Sequence, residues 1–290
     1  MNKKILFFFL FSLNFYSQSK YEYFGALKLN GDDKTIISYR LVFIEDKGKI
    51  EGYSLTDLGG NHETKNKISG TYNEKTKNLK FKEEDVLYTK SPLSDDVFCF
   101  VNFSGKVKLT DEKNKIDGDF KGFFKNRTKC IDGTLTLIGS KKIYKLLNKI
   151  NSKIQKSKKV DNVTKVKFNP IHILDSLKVN NLGKDQNLSV FVKSDKIQLE
   201  IWDSKIEDGD KIDLFQNGKK IIDNYTVLNK KLVINVKLDS EKNIFRIEAI
   251  SEGEIKPNTA MIQLIDDDKT YELSTNLKKG EKTSITIIRK

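Results

Sequence analysis

A short pattern recurs four times in the first half of the chain. It reads Ile50-Glu51-Gly52-Tyr53, Ile68-Ser69-Gly70 followed by Tyr72, Ile116-Asp117-Gly118 followed by Phe120, and Ile131-Asp132-Gly133 followed by Leu135. In each copy an apolar residue and a glycine stand two apart, so they share one face of a strand. Glycine removes the side chain where a bending strand would collide with its neighbour. A curled antiparallel sheet needs such positions, and a barrel-like β domain is predicted over residues 18–138.

Around the motif the text from Tyr21 to Ile138 is a run of short apolar strands separated by polar turns such as LNGDD, EDKGK and NEKTKN. Turn signals about every ten residues predict an up-and-down meander of roughly eight to ten strands. The run VFCFVNF sets Val97, Cys99, Val101 and Phe103 on one face and Phe98 and Phe100 on the other. One face is expected to look into the barrel, either as a filled core or as the wall of a pocket, and the other to meet a helix.

That helix is expected after Gly139. In SKKIYKLLNKINSKIQKSKK, Ile143, Leu147, Ile150 and Ile154 recur four, three and four residues apart, with lysines over the remaining surface. Residues 139–168 hold 10 Lys+Arg against 1 Asp+Glu, whereas residues 18–138 hold 21 against 19 and residues 187–290 hold 18 against 18. The excess charge thus belongs to one connector, residues 139–186, and neither flanking domain is basic, which excludes a nucleic-acid-binding protein. The apolar stripe is expected to dock on a neighbouring domain. Contact of the 141–159 helix with an anionic surface is the alternative. Asn169-Pro170 marks the start of a second, short helix.

From Asn187 to Lys290 the strand pattern resumes, with Asn217-Gly218 as a hairpin turn. Many short strands in about 100 residues predict an Ig-like β-sandwich. The strings IWDSKIEDGDKIDLFQNGKKI and EGEIKPNTAMIQL, the latter running from Glu252 to Leu264, resemble a β-sandwich module at the end of exported proteins of Bacteroidetes-type bacteria. The resemblance implies an accessory module of the cell envelope with no assigned chemistry. The N-terminal half is lipocalin-like in strand pattern only.

The opening MNKKILFFFLFSLNFYSQSK has two lysines, an apolar run and then polar residues, which reads as a secretory signal peptide over residues 1–17. Export to the periplasm, the outer-membrane surface or the medium follows. Cys99 and Cys130 are the only cysteines, and an even pair in an exported chain is expected to form a disulfide. Closing a loop of that length would stabilise the fold by about 3 kcal/mol.

No catalytic motif is present. His62 and His172 are the only histidines and lie in different segments, so a triad or a paired-histidine metal site would have to reach across domains. The carboxylates Glu83, Glu84, Asp85, Asp95 and Asp96 have no spacing that assigns an acid and a base. Asp203, Glu207, Asp208, Asp210 and Asp213 crowd one turn with Gly209, where several oxygens can surround a calcium ion; a solvated turn is the alternative. No other cofactor is expected. The loop holding Gly59, Gly60, Asn61 and His62 is the candidate ligand-binding rim. These readings point to a non-catalytic binding or scaffold protein for an envelope polymer or protein partner. A carrier of a small apolar ligand and a hydrolase acting on an envelope glycan are the alternatives.

Overall fold

The computed structural model describes residues 19–31, 35–109, 115–161, 165, 180–204, 206–267 and 269–290. The fold is mainly β. Eight antiparallel strands follow one another in space as in sequence: β1 (Ser19–Leu29), β2 (Ile36–Asp46), β3 (Lys49–Thr56), β4 (Thr64–Asn73), β5 (Asn78–Thr89), β6 (Phe100–Lys106), β7 (Lys115–Phe123) and β8 (Gly133–Gly139). β8 returns to β1, from Tyr23↔Gly139 to Leu29↔Gly133, and closes the barrel.

Two of the motif glycines sit where neighbouring strands leave no room for a side chain. A Cβ on Gly52 would fall on the carbonyl oxygen of Val42 in β2, and one on Gly70 on that of Lys80 in β5. The strands approach so closely there that only a residue without a side chain fits. Inward residues from all eight strands meet along the axis, including Tyr23, Tyr39, Phe43, Ile50, Ile68, Phe81, Phe103, Ile116, Phe120 and Leu135. The axis is packed with side chains, the filled-core alternative raised above. Cys99 and Cys130 form the expected disulfide, with Cα atoms 6.1 Å apart. Gly122 passes beneath it, where a Cβ would strike both sulfurs.

The C-terminal strands are β9 (Asn180–Leu182), β10 (Asn187–Val192), β11 (Lys196–Trp202), β12 (Asp210–Gln216), β13 (Lys219–Thr226), β14 (Leu232–Lys237), β15 (Lys242–Glu252), β16 (Met261–Asp266), β17 (Lys269–Thr275) and β18 (Lys282–Arg289). They form two layers, β13-β12-β15-β18-β10 and β14-β11-β16-β17-β9. Alternate residues such as Val190, Phe245, Ile247 and Ile287 from one layer meet Leu199, Ile262, Leu264 and Leu273 from the other. Asn217 and Gly218 turn β12 into β13 with φ of 49° and 85°, the two positive angles that a two-residue hairpin of this type requires.

The barrel interior and the sandwich form separate core clusters, but the two units share a sheet. β10 pairs with β5 through Ser189↔Thr89 and Val190↔Tyr88, so the barrel wall and one layer of the sandwich form a continuous thirteen-stranded sheet. Leu55 and Tyr88 on the outside of the barrel belong to the sandwich core. Phe100 packs with Val86 and Phe191, so the second face of the VFCFVNF run meets the C-terminal unit rather than a helix. The run is also shorter as a strand than expected, because Asp95–Val97 forms a 3-10 turn and β6 begins at Phe100.

The predicted helix is α1 (Ser140–Lys156), which leaves β8 directly, and none of its residues is buried. Ile143, Leu147 and Ile154 are half-buried, while Ile150 is 46% exposed and Leu146 47%. The expected docking of the whole stripe does not occur. The proposed second helix near Pro170, with His172, lies outside the described residues.

Candidate functional site

Among the described residues, the carboxylate at the barrel axis is Glu83. Glu83 is buried and accepts hydrogen bonds from Tyr39 Oη at 2.8 Å, from the Val101 backbone N–H at 2.7 Å and from Ser54. Burial raises its pKa, and the donors oppose the rise. A carboxylate with its oxygens so occupied is a structural anchor inside the core. Glu84 and Asp85 lie outside: Glu84 accepts from Ser69 and pairs with Lys82, and Asp85 pairs with Lys290. Asp96 accepts from Ser94, and the Asp95 side chain lies outside the described set. Among the described side chains, Glu83, Glu84, Asp85 and Asp96 are therefore each engaged with different partners.

A surface feature with the form of a binding site lies on the barrel wall. A groove of about 620 Å³ crosses β4 to β7. Strand register explains its lining: Ser69 pairs with Lys82, Lys82 with Asn102, and Asn102 with Lys121, so four polar side chains form one row across four strands. Thr71, Lys80 and Ser104 form the next row. At depth the groove reaches Phe81, Phe103 and Phe120, with Phe123 at its end. The β6–β7 ladder covers only Phe100 to Phe103, although β6 runs on to Lys106. The rings of Phe81, Phe103 and Phe120 stay buried in the core beneath this row, and Phe123 is half-buried. Three lysines against Asp119 leave the lining positive.

No family model, curated protein or solved structure matches the chain. What the groove takes must therefore be argued from its own chemistry.

The loop of Gly59, Gly60, Asn61 and His62 joins β3 to β4 and is tied in place. Gly59 N–H donates to Glu63 at 2.6 Å, His62 N–H to Asp57 at 2.9 Å, and the Gln186 side chain reaches Asn61 at 3.0 Å. Glu63 is itself buried and accepts from Tyr88 Oη at 3.0 Å. The loop thus serves as part of the joint between barrel and sandwich, with the His62 side chain exposed.

Of the five acidic residues around Gly209, three come together. Asp203, Asp208 and Asp210 each present a carboxylate oxygen within 4.8 Å of the other two. Burial pushes the Asp210 carboxyl up to about 6, and the neighbouring charges of Asp208, Asp203 and Glu252 add to the rise against the Thr259 N–H that it accepts. Glu207 turns away to accept from Asn229 N–H at 2.6 Å. Asp213 is held at 2.6 Å from Lys220 and accepts from Asn224 N–H at 2.7 Å.

Sequence reading missed the groove residues. Ser69, Lys82, Asn102 and Lys121 are ordinary outward positions of polar-apolar strands, and their alignment becomes visible only with the register.

Proposed function

We propose that the protein is an exported, non-catalytic binding protein of a bacterial cell envelope, and that the wall groove captures an anionic envelope polymer. The observation that carries this reading is the combination of a filled barrel axis with an open groove on its wall lined by Lys80, Lys82 and Lys121, with the half-buried Phe123 beside them. Phe123 offers apolar contact, the hydroxyl and amide side chains of Ser69, Thr71, Asn102 and Ser104 hydrogen-bond, and the lysines supply point charges for carboxylate or phosphate groups. Against a carrier of a small apolar ligand stands the packed axis. Against a hydrolase stands the dispersal of Glu83, Glu84, Asp85 and Asp96. Export is supported by the leader-like opening and by the Cys99–Cys130 disulfide, a bond that persists in oxidising compartments. The Bacteroidetes-type resemblance of the C-terminal third agrees with this location.

The test is calorimetric titration with oligomeric polygalacturonate, an acidic glycan, and with neutral dextran. The acidic polymer is expected to bind with an affinity that falls as salt is added. Lys80→Glu with Lys121→Glu is expected to weaken it at least about tenfold, which corresponds to roughly 1.4 kcal/mol. Equal binding of both polymers, or binding indifferent to the double substitution, contradicts the reading.

A second contact is supported by the exposure of α1. At about 100° per residue, the six lysines of the helix fall in one arc of roughly 120°, and Ile143, Leu146, Leu147, Ile150 and Ile154 fall in the adjoining arc of roughly 100°. Such a helix suits the headgroup layer of an anionic membrane. Flotation with vesicles containing phosphatidylglycerol is expected to carry the protein, and Lys149→Glu with Lys153→Glu to leave it behind. Flotation unchanged by the pair of substitutions removes this contact from the account.

A further inference from the structure

The loop between β11 and β12 brings three carboxylates together from both its ends. Asp203 follows Trp202 at the end of β11, Asp208 lies in the loop, and Asp210 opens β12. Backbone bonds fix each position: Asp203 N–H to Leu228 O at 2.8 Å, Val227 N–H to Asp210 O at 2.9 Å, and Glu254 N–H to Asp208 O at 3.0 Å. The side chains of Asp208 and Asp210 are fixed at one oxygen each. Oδ2 of Asp208 accepts from Ile255 N–H at 2.8 Å, and Oδ2 of Asp210 from Thr259 N–H at 2.7 Å.

Their other oxygens are left over. Oδ1 of Asp208 and Oδ1 of Asp210 are shielded from solvent and have no hydrogen-bond partner. Asp210 is only 1% exposed. An orphaned carboxylate oxygen in such a position is destabilising unless something positive or protic meets it. Asn258, beside Thr259 at the same junction, donates its amide to Lys211 O and Ser251 O and leaves its own buried Oδ1 without a partner as well.

We infer that Asp203, Asp208 and Asp210 form a calcium-binding site that ties the β11–β12 loop to the segment after β15. Two oxygens that both lie about 2.4 Å from a Ca²⁺ are at most ~4.8 Å apart, and the three carboxylates meet that limit. An all-oxygen donor set favours a hard cation over zinc or copper. Magnesium, with bonds of about 2.1 Å and strict octahedral geometry, keeps several of its waters and is held by one or two carboxylates, so three protein carboxylates favour calcium. Three carboxylates around one ion place the site with extracellular modules of modest affinity, on the order of 10⁻⁴ M. Bound calcium would satisfy the orphaned oxygens and neutralise the crowding of like charges, so its effect is on the stability of the sandwich end.

Terbium luminescence tests the site directly, because the chain has a single tryptophan, Trp202, next in sequence to Asp203. The purified protein is stripped with EDTA, and Tb³⁺ is added with excitation of that tryptophan. Sensitised emission is expected to appear and to be displaced by Ca²⁺ far more readily than by Mg²⁺. Calcium is also expected to raise the melting temperature by several degrees. Asp208→Asn keeps an acceptor for Ile255 N–H and removes a like charge, so it is expected to fold in EDTA while losing both emission and the calcium-induced shift. Asp213→Asn, away from the cluster, is expected to keep both. Absence of emission and of any melting shift at millimolar Ca²⁺ overturns the inference, as does a shift of equal size in Asp208→Asn.

Discussion

Thr89 at the end of β5 is the register partner of Ser189 in β10, and this pairing carries the barrel wall into the sandwich. The same joint is reinforced by Lys90 Nζ donating to Asn181 O at 2.9 Å and by the Lys290 to Asp85 ion pair at 2.7 Å. Leu55 of the barrel is buried in the sandwich core. Leu55→Ala is expected to cost about 2–5 kcal/mol and to lower one calorimetric transition shared by both units. Two resolved transitions, with only one displaced, would show that the units unfold independently.

Gly52 and Gly70 test the closure of the barrel. Either glycine changed to Ala would place a methyl group on a neighbouring strand's carbonyl, and a loss of more than about 2 kcal/mol is expected from strand displacement. Gly31→Ala, whose added carbon would make only ordinary contact with Ile131, is the control and is expected to be nearly neutral. Denaturant midpoints that fall equally for all three variants would contradict the closure argument.

The buried Glu83 gives a comparison that apolar reasoning alone would reverse. Glu83→Leu adds hydrophobic surface to the core but leaves Tyr39 Oη, Ser54 Oγ and the Val101 N–H without their acceptor. Each abandoned donor costs about 1–3 kcal/mol. Glu83→Gln keeps one carbonyl acceptor, so it is expected to be clearly more stable than Glu83→Leu in urea. The opposite order would mean that the network is dispensable.

Lys65 sets a pH dependence. Its ammonium lies 4.1 Å from the Tyr53 ring centre and 5.7 Å from that of Tyr88. Burial lowers its pKa from 10.5 to about 8, with Arg40 adding to the drop and Glu63 opposing it. Between those values the unfolded chain holds more protons than the folded one, so this residue's contribution to stability rises with pH across the window. Below it, both states are charged and the burial penalty is fully present. Lys65→Met is therefore expected to exceed the wild type in urea midpoint near neutral pH, with the difference shrinking toward about pH 10. Parallel curves would contradict the assignment.

The barrel was legible because its requirement is local: Gly52 and Gly70 stand two residues after Ile50 and Ile68, and closure needs that spacing. The Cys99–Cys130 bond was legible by elimination. The Thr89–Ser189 seam was not, because edge strands about 100 residues apart choose each other through tertiary packing that leaves no pattern in either segment. Likewise, the lysines and aliphatics of α1 reveal its amphipathic form but not whether a partner covers the stripe. At the acidic turn the composition was visible and the selection was not. Asp208 and Asp210 accept from the N–H groups of Ile255 and Thr259 and Asp203 donates its N–H to Leu228 O, whereas Asp213 is drawn to Lys220. The residues of the Glu252–Leu264 string that suggested a Bacteroidetes-type module include those that hold Asp208 and Asp210 in place.

The most direct test of the binding account is to titrate isotope-labelled protein with polygalacturonate oligomers and follow backbone amide shifts. Changes are expected at Ser69, Lys80, Lys82, Asn102, Lys121 and Phe123, with the axial residues Tyr39 and Ile116 unmoved. Shifts centred on the axial residues, or confined to the Gly59–His62 loop, would contradict the groove as the site of capture.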